Sequence, residues 1–225
     1  MIGIIAAMDV EINDLIASTD VKETVKKGMF TFHRGILKGR EIVILKCGIG
    51  KVAASFGAAL MIQMFEPEVI INTGIAGGAC GVSVSDVVLT KSLSYGDVDV
   101  RHFGYSLGQI PQMPCKFEAD EVLLNKVSKA LERKKIAYKL GHALTFDSFI
   151  TTLKNREVNL EEVTICEMEG TAIAQTCYMA NIPFLGVRYV SDIVDSASQI
   201  ENYKVFETQM AHLSSAIIKE IITLI

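Results

Sequence analysis

Acidic side chains are the residues whose types and spacing best fit a chemical role. Glu167 and Glu169 lie two residues apart, directly after the short run Thr164-Ile165-Cys166 and before a helical pattern of small residues. We therefore expect both carboxylates at the carboxyl end of a buried strand, where open α/β sheets bind ligands. Burying two acids without partners is unfavourable, so the pair calls for an explanation. A solvated turn before a helix that tolerates acids at its N-terminus is the alternative interpretation.

Other polar residues follow other apolar runs and are expected at the same edge of the sheet. They are Glu11, Ser148, Arg188, Ser191 and Asp192. Converging carboxylates, with methionine and aromatic side chains nearby, suit a neutral polar ligand that has a flat apolar part. A phosphate would be repelled by them. Carboxylates are also suited to general acid–base catalysis.

Signatures of other chemistries are missing from the sequence. The histidines are scattered without Cys or Asp partners at ligand spacing, so we expect no metal site. No serine lies in a Gly-x-Ser-x-Gly turn. The glycine-rich segment 73–78 is neither a dinucleotide fingerprint nor a P-loop, and a tight turn is its default interpretation. The sequence therefore predicts no cofactor.

Composition narrows the class of protein. The chain has 225 residues, 50% of them hydrophobic and 21% charged, which is enough for a sizeable core. A net charge of −4 without a basic run argues against nucleic acid or a membrane surface as a partner. The apolar N-terminal stretch is too short to span a membrane. Five cysteines without a Cys-x-x-Cys pair indicate free thiols, which favours a soluble cytoplasmic protein.

Apolar runs alternate with helical periodicity and indicate the elements that position these side chains. Strands are predicted at 2–7, 31–35, 41–46, 69–72, 87–90, 140–146 and 183–190. Helices are predicted at 51–65 and 119–131, after the acidic triplet, and from about Tyr203. This order predicts one α/β domain over residues 1–225, with a mixed, largely parallel twisted sheet flanked by helices. The irregular stretch 95–117 is long enough that we expect it to be functional or covered by a partner.

Seven short motifs occur in the order found in one family. They are Met8-Asp9-Val10-Glu11, Gly48-Ile49-Gly50-Lys51-Val52-Ala53-Ala54, Ile71-Asn72-Thr73-Gly74, Tyr95-Gly96-Asp97-Val98-Asp99, Phe103-Gly104-Tyr105, Cys166-Glu167-Met168-Glu169 and Arg188-Tyr189-Val190-Ser191-Asp192. Each is weak alone, but together they are specific and cover nearly the whole chain. The sequence thus resembles the bacterial 5′-methylthioadenosine/S-adenosylhomocysteine nucleosidases, members of the nucleoside phosphorylase superfamily.

The resemblance implies hydrolysis of the N-glycosidic bond between adenine and a 5′-thio-substituted ribose. The substrates would be 5′-methylthioadenosine and S-adenosylhomocysteine, with 5′-deoxyadenosine as a further candidate. By the same resemblance, Asp192 would be the general acid that protonates adenine at N7. Glu11 would be the general base that activates water. Such a reaction passes through an oxocarbenium-like state and needs both partners.

The resemblance also implies which residues hold the substrate. Glu169 would accept hydrogen bonds from the ribose hydroxyls, whereas Glu167 would be structural, paired with Arg188 or a backbone amide. The remaining contacts would come from residues around the base, the sugar and the thioalkyl group. They are Met168 and Phe149 on sugar and base, the backbone of Ile150 at the adenine edge, Ile49 and Met8 on the thioalkyl and ribose side, and Arg188 and Ser191 at the Asp192 end.

A second subunit is implied as well. In a homodimer, Val100, Phe103 and Pro111 of the neighbouring copy would close the pocket for the 5′-substituent, which would give the irregular stretch a purpose. Tyr203 would cover the sugar, with Phe206 as the alternative.

The sequence departs from the family at Ile75, where members usually carry Ser near the ribose and water. Three other functions stay open. A purine nucleoside phosphorylase with the same fold would depend on phosphate, and an inactive relative would bind nucleosides without turnover. A Rossmann-type cofactor protein is weaker, because the glycine fingerprint is missing.

Overall fold

The computed structural model describes the backbone of residues 1–225 and all side chains except those of residues 206–208, 210 and 211. The alternative position for the sugar cover, Phe206, therefore lies outside the described side chains. Ten strands run as β1 Ile2–Ala6, β2 Asp20–Lys27, β3 Phe30–Leu37, β4 Arg40–Lys46, β5 Val69–Cys80, β6 Val87–Tyr95, β7 Phe117–Glu118, β8 Lys139–Thr145, β9 Thr164–Glu167 and β10 Phe184–Ile193. Five α-helices are α1 Asp9–Ala17, α2 Lys51–Phe65, α3 Glu121–Arg133, α4 Gly170–Ala180 and α5 Gln199–Ile222.

The strands form one mixed sheet that closes on itself at one end. β5, β9, β8, β6 and β10 pair in that order, and β10 pairs again with β5, so these five strands make a closed ring. β1, β4, β3 and β2 extend outward from β5 as an open sheet. The predicted mixed α/β architecture is confirmed, although antiparallel pairs such as β5–β9 and β6–β10 make it less parallel than expected.

Strand alternation divides the core between the two sides of the sheet. Ile4 of β1 belongs to the apolar cluster packed with α1 and α5, whereas its neighbour Ile5 belongs to the cluster packed with α2 and α4. Both side chains are fully buried, because successive residues of a strand point to opposite faces and helices cover both. This explains why β1 is apolar throughout.

Three elements differ from the sequence-based expectation. β2 was not predicted, because its exposed, charged sequence lacks an apolar face. The glycine-rich segment 73–78 is not a tight turn: it continues β5, with β10 parallel on one side and β9 antiparallel on the other. Main-chain pairing on both edges stabilises a strand that glycine propensity alone would disfavour. α5 begins at Gln199, four residues before the expected start.

The stretch between β6 and β7 is irregular, as expected, and contains a single 3-10 turn at Arg101–Phe103. None of the described helices is both long and apolar enough to cross a membrane.

Candidate active site

A cavity opens where β1, β5, β9 and β10 deliver their carboxyl-terminal residues. An adjoining hollow shares its wall along Phe149, Met168 and Asp192. Most of the predicted site residues line the cavity: Met8, Glu11, Ile49, Ile75, Phe149, Glu167, Met168, Glu169, Ser191, Asp192 and Tyr203. Ile150 lines the adjoining hollow. The structure therefore brings together residues that are up to 195 positions apart.

Glu11 is held by backbone amides from two segments. Its Oε2 accepts from the N–H groups of Ala7 and Met8, each at 3.0 Å, and its Oε1 accepts from the N–H of Ile75 at 3.0 Å. Burial raises the pKa of Glu11 above its ordinary value, although these hydrogen bonds oppose the shift. Gly74 makes the arrangement possible, because a Cβ there would collide with Oε1. Glu11 is thus a fixed carboxyl group with an increased affinity for a proton.

Asp192 lies inside β10, at a bulge where the register with β5 shifts. Its Oδ1 accepts from the Ser191 hydroxyl at 2.6 Å, and its Oδ2 accepts from Gln199 Nε2 at 2.8 Å. The side chain is 1% exposed by residue and faces the cavity. A β-bulge changes the direction in which a strand side chain points, and at this bulge the Asp192 side chain points into the cavity.

Glu167 is paired inside the protein, as expected for a structural residue. Its Oε2 accepts from Arg188 Nη2 at 3.0 Å and from the N–H groups of Glu169 and Gly170, and Thr145 donates to Oε1. The Arg188 guanidinium also donates to the backbone carbonyl of Asn72 at 3.0 Å. These hydrogen bonds direct Arg188 to Glu167 and β5 rather than to Asp192.

Glu169 stands directly before α4 and points into the cavity. Its Oε1 accepts from the N–H of Gly50 at 2.8 Å, which ties the turn before α2 to the acidic triplet. Burial, reinforced by the negative charge of Glu167, raises the pKa of Glu169 to about 8. The two acids of the triplet are therefore unlike: Glu167 is saturated by protein donors, whereas Glu169 faces the ligand space.

An ion-pair cluster connects the segments next to the cavity. Lys51 Nζ lies 2.7 Å from Asp97 Oδ1 and 3.5 Å from Asp147 Oδ2. Asp97 also accepts from the backbone N–H of Asp147 at 2.9 Å. Lys51 thus joins the start of α2, the loop after β6 and the loop that carries Phe149.

Aromatic and sulfur-containing side chains form the rim. The rings of Phe149 and Tyr203 meet edge to face, with centroids 5.2 Å apart. The Tyr203 hydroxyl donates to Met8 Sδ at 4.0 Å. Ile49 and Phe149 are 59% and 46% exposed, so the mouth of the cavity presents apolar surface.

The three residues expected from a neighbouring subunit do not line the cavity of their own chain. Phe103 is 80% exposed, Pro111 is exposed and Val100 is half-buried. Exposed apolar side chains also occupy the start of α2, at Val52 and Phe56, beside Ile49.

Sequence reasoning missed Gln199 and the spatial roles of Gly74 and Gly77. An ideal Cβ on Gly77 would lie 3.1 Å from Asp192 Oδ2, so the two glycines of β5 make room for one carboxylate each. Gln199 was missed because the last helix was expected to begin at Tyr203. Gln199 could have been identified only if the helix had been predicted to begin at residue 199. Among the described residues, no group of three or more His, Cys, Asp or Glu could hold a metal ion.

Comparisons with known proteins agree with this geometry. The Phosphorylase superfamily model matches residues 1–223. A 5′-methylthioadenosine/S-adenosylhomocysteine nucleosidase of Staphylococcus aureus is 38% identical over 99% of both chains.

Solved structures are similar over the full length. The nucleosidase of Neisseria meningitidis, in complex with methylthio-immucillin-A, has a TM-score of 0.91 and 33% identity, with 100% of this chain and 99% of that one covered. A putative nucleosidase of Borrelia burgdorferi, bound to adenine, has a TM-score of 0.91 and 31% identity over 100% of both chains. The chain therefore belongs to the phosphorylase superfamily and, within it, to the 5′-methylthioadenosine/S-adenosylhomocysteine nucleosidases.

Proposed function

We propose that the protein hydrolyses the N-glycosidic bond of 5′-methylthioadenosine and S-adenosylhomocysteine, and also of 5′-deoxyadenosine, releasing adenine. The observation that carries the proposal is the pair of buried carboxyl groups, Glu11 and Asp192, in one cavity. They lie over Gly74 and Gly77, which are separated by roughly 10 Å along β5 at about 3.3 Å per residue. The two carboxyl groups therefore lie at different positions along one cavity wall, as an acid and a base on either side of a glycosidic bond require.

The reaction breaks the C1′–N9 bond and gives its electron pair to the purine. Asp192, in its protonated form, donates a proton to N7, so that adenine leaves as a neutral molecule. Water attacks C1′, and Glu11 accepts the proton that the water loses. An increased proton affinity suits Glu11 for this task. Each proton transfer of this kind typically contributes roughly 10²–10⁴-fold in rate.

Glu169 binds the ribose. One of its oxygens is fixed by the Gly50 amide, and the hydroxyls of the sugar donate to the other. The bound sugar favours the ionised form of Glu169, because its hydroxyls donate hydrogen bonds to the carboxylate. The negative charge then stabilises the positive charge that develops on the ribose in the transition state. Phe149, Met168 and Tyr203 pack against base and sugar.

The active form is a homodimer, with Val100, Phe103 and Pro111 of the second copy over the 5′-substituent. This proposal is supported by the exposed apolar side chains of Ile49, at the cavity mouth, and of Val52 and Phe56, which share a neighbouring surface hollow with Ile49. Contiguous apolar surface of this kind marks interaction sites. Five free cysteines suit a cytoplasmic location.

A phosphorylase is the competing function. Phosphate would need cationic donors or an available serine or threonine hydroxyl at the sugar. Among the described residues that line the cavity none is cationic, and the Ser191 hydroxyl already donates to Asp192. Carboxylates would repel the anion.

The test is adenine release from the three nucleosides, with and without phosphate, by the wild type, Asp192→Asn and Glu11→Gln. We expect phosphate-independent release by the wild type and a loss of roughly 10²–10⁴-fold in kcat/KM in each variant. Phosphate-dependent release would indicate a phosphorylase. Adenine-nucleoside binding without any turnover would indicate an inactive relative.

A further inference from the structure

Gln199, the first residue of α5, bridges two segments of the cavity wall. Its Nε2 donates to Asp192 Oδ2 and to the backbone carbonyl of Ile150, both at 2.8 Å. The side chain is buried, with the residue 3% exposed, and it lines the hollow next to the main cavity. A carboxamide NH₂ has two hydrogens, so both are used.

The two acceptors define what this corner of the cavity recognises. Asp192 Oδ2, from β10, and the Ile150 carbonyl, from the loop after β8, converge on one nitrogen. A group that satisfies both must donate two hydrogen bonds from one atom, and the NH₂ of an aromatic amine does this in the same planar geometry as the carboxamide NH₂. A carbonyl oxygen in the same place would face two acceptors and would be repelled.

The other half of the Gln199 carboxamide is left unsatisfied. Its Oε1 is buried and has no hydrogen-bond partner among the side chains and backbone groups that the structure describes. An unpaired buried acceptor is unfavourable, whereas a displaced glutamine at a helix start gains water as a partner. The bridge is therefore an incomplete arrangement that a better-matched ligand can replace.

We propose that the Gln199 carboxamide occupies, in the ligand-free site, the place of the 6-amino group of a purine, and that the purine displaces it. Gln199 then competes with the base for Asp192 Oδ2 and the Ile150 carbonyl, and only a base with NH₂ at this edge recovers both hydrogen bonds. A 6-oxopurine cannot. The inference rests on the proposed function, since it takes an adenine nucleoside to be the ligand of this cavity.

Displacement is measured through the side-chain ¹⁵N–¹H₂ signals of Gln199, assigned by their loss in Gln199→Ala. In the free protein we expect slow hydrogen exchange of these signals. At saturating adenine, we expect these signals to take the chemical shift of a solvated glutamine side chain and to exchange their hydrogens rapidly. Gln175, on α4, provides the internal reference. Its Oε1 accepts from the Tyr95 hydroxyl at 2.6 Å, and its signals should stay in place when adenine binds.

Affinity gives the second measurement. Without a competitor to displace, Gln199→Ala is expected to bind adenine about 3- to 30-fold more tightly, the equivalent of one or two net hydrogen bonds. Hypoxanthine stays a poor ligand of both proteins. Gln199→Met fills the same space without hydrogen bonds and replaces the alanine variant if that variant does not fold.

Two results overturn the proposal. Protected Gln199 signals in the adenine complex, or weaker adenine binding in both variants, would make Gln199 a fixed positioning residue for Asp192. Failure of the proposed function gives a different result: the wild type neither binds adenine nor releases it from methylthioadenosine. That result would contradict both the proposed function and the role of Gln199.

Discussion

Gly77 and Asp192 face each other across β5 and β10, with the position of a Cβ on Gly77 only 3.1 Å from Asp192 Oδ2. This distance is shorter than ordinary van der Waals contact, so the carboxyl group must move if residue 77 gains a methyl group. Asp192 is also held by Ser191 and Gln199, and movement breaks at least one of these hydrogen bonds.

We expect Gly77→Ala to reduce kcat about 10- to 100-fold with little loss of stability, because a small displacement of a reacting group has a large effect on rate. Steady-state kinetics and thermal unfolding test this. Gly39→Ala, in the β3–β4 turn, meets no neighbouring atom but has a φ of +81°. It should therefore lower stability through backbone strain and leave kcat unchanged, which separates a loss of stability from an effect on the site. Unchanged kcat in Gly77→Ala would show that the carboxyl group has room to spare.

The ion pair between Glu167 and Arg188 gives a prediction about stability. The two side chains are 2% and 3% exposed, so removal of one charge leaves the other buried without its partner. We expect Arg188→Met to lower the free energy of unfolding by about 3–5 kcal/mol. The double variant Glu167→Gln/Arg188→Met should recover part of that loss. Urea unfolding measures both, and equal losses in the single and double variants would contradict the argument.

Glu169 makes stability depend on pH. Its pKa is raised to about 8 in the folded protein, so the folded state keeps a proton that the unfolded state has already released. Stability is therefore fully present below the unfolded pKa and falls as pH rises through the folded value.

We expect Glu169→Gln to remove this fall, so that its Tm exceeds that of the wild type by on the order of a few °C at about pH 9 but not at about pH 5. The variant should lose activity at both. Glu162→Gln, at an exposed position, controls for the change in net charge. Parallel Tm curves for wild type and Glu169→Gln would mean that Glu169 is ionised throughout.

Lys51 should act on substrate binding rather than on the chemical step. Its ammonium group joins Asp97 and Asp147, which lie on the two loops that flank the site. We expect Lys51→Met to raise KM about fivefold with a smaller effect on kcat, in line with a partly buried ion pair. Lys51→Arg keeps the charge and should restore most of the affinity. An equal loss in both variants would mean that the shape of lysine, not its charge, is required.

The sequence predicted the site better than it predicted the elements that carry it. Carboxylates that follow apolar runs can be recognised from the sequence alone, and Glu11, Glu169 and Asp192 do line one cavity. Main-chain pairing is not visible, so the strand through Gly74 and Gly77 was taken for a turn. The resemblance implied Arg188 at the Asp192 end of the site. Regular alternation would put both side chains on one face of β10, but the register shifts between Val190 and Asp192, and the Arg188 guanidinium donates to Glu167.

Ile75 is the position where the family usually carries Ser, and its effect can be argued from Glu11. The Ile75 N–H donates to Glu11 Oε1, and its buried apolar side chain lines the same cavity as that carboxyl group. Burial is the main reason that the pKa of Glu11 is raised.

Ile75→Ser retains the amide but should admit water, so the pKa of Glu11 should fall toward its ordinary value. Since Glu11 must be ionised to act as a base, the acidic limb of the kcat/KM profile should move to lower pH. Ile75→Val keeps an apolar wall and should leave the limb in place. Identical limbs in the serine and valine variants would mean that another group controls the acidic side of the profile.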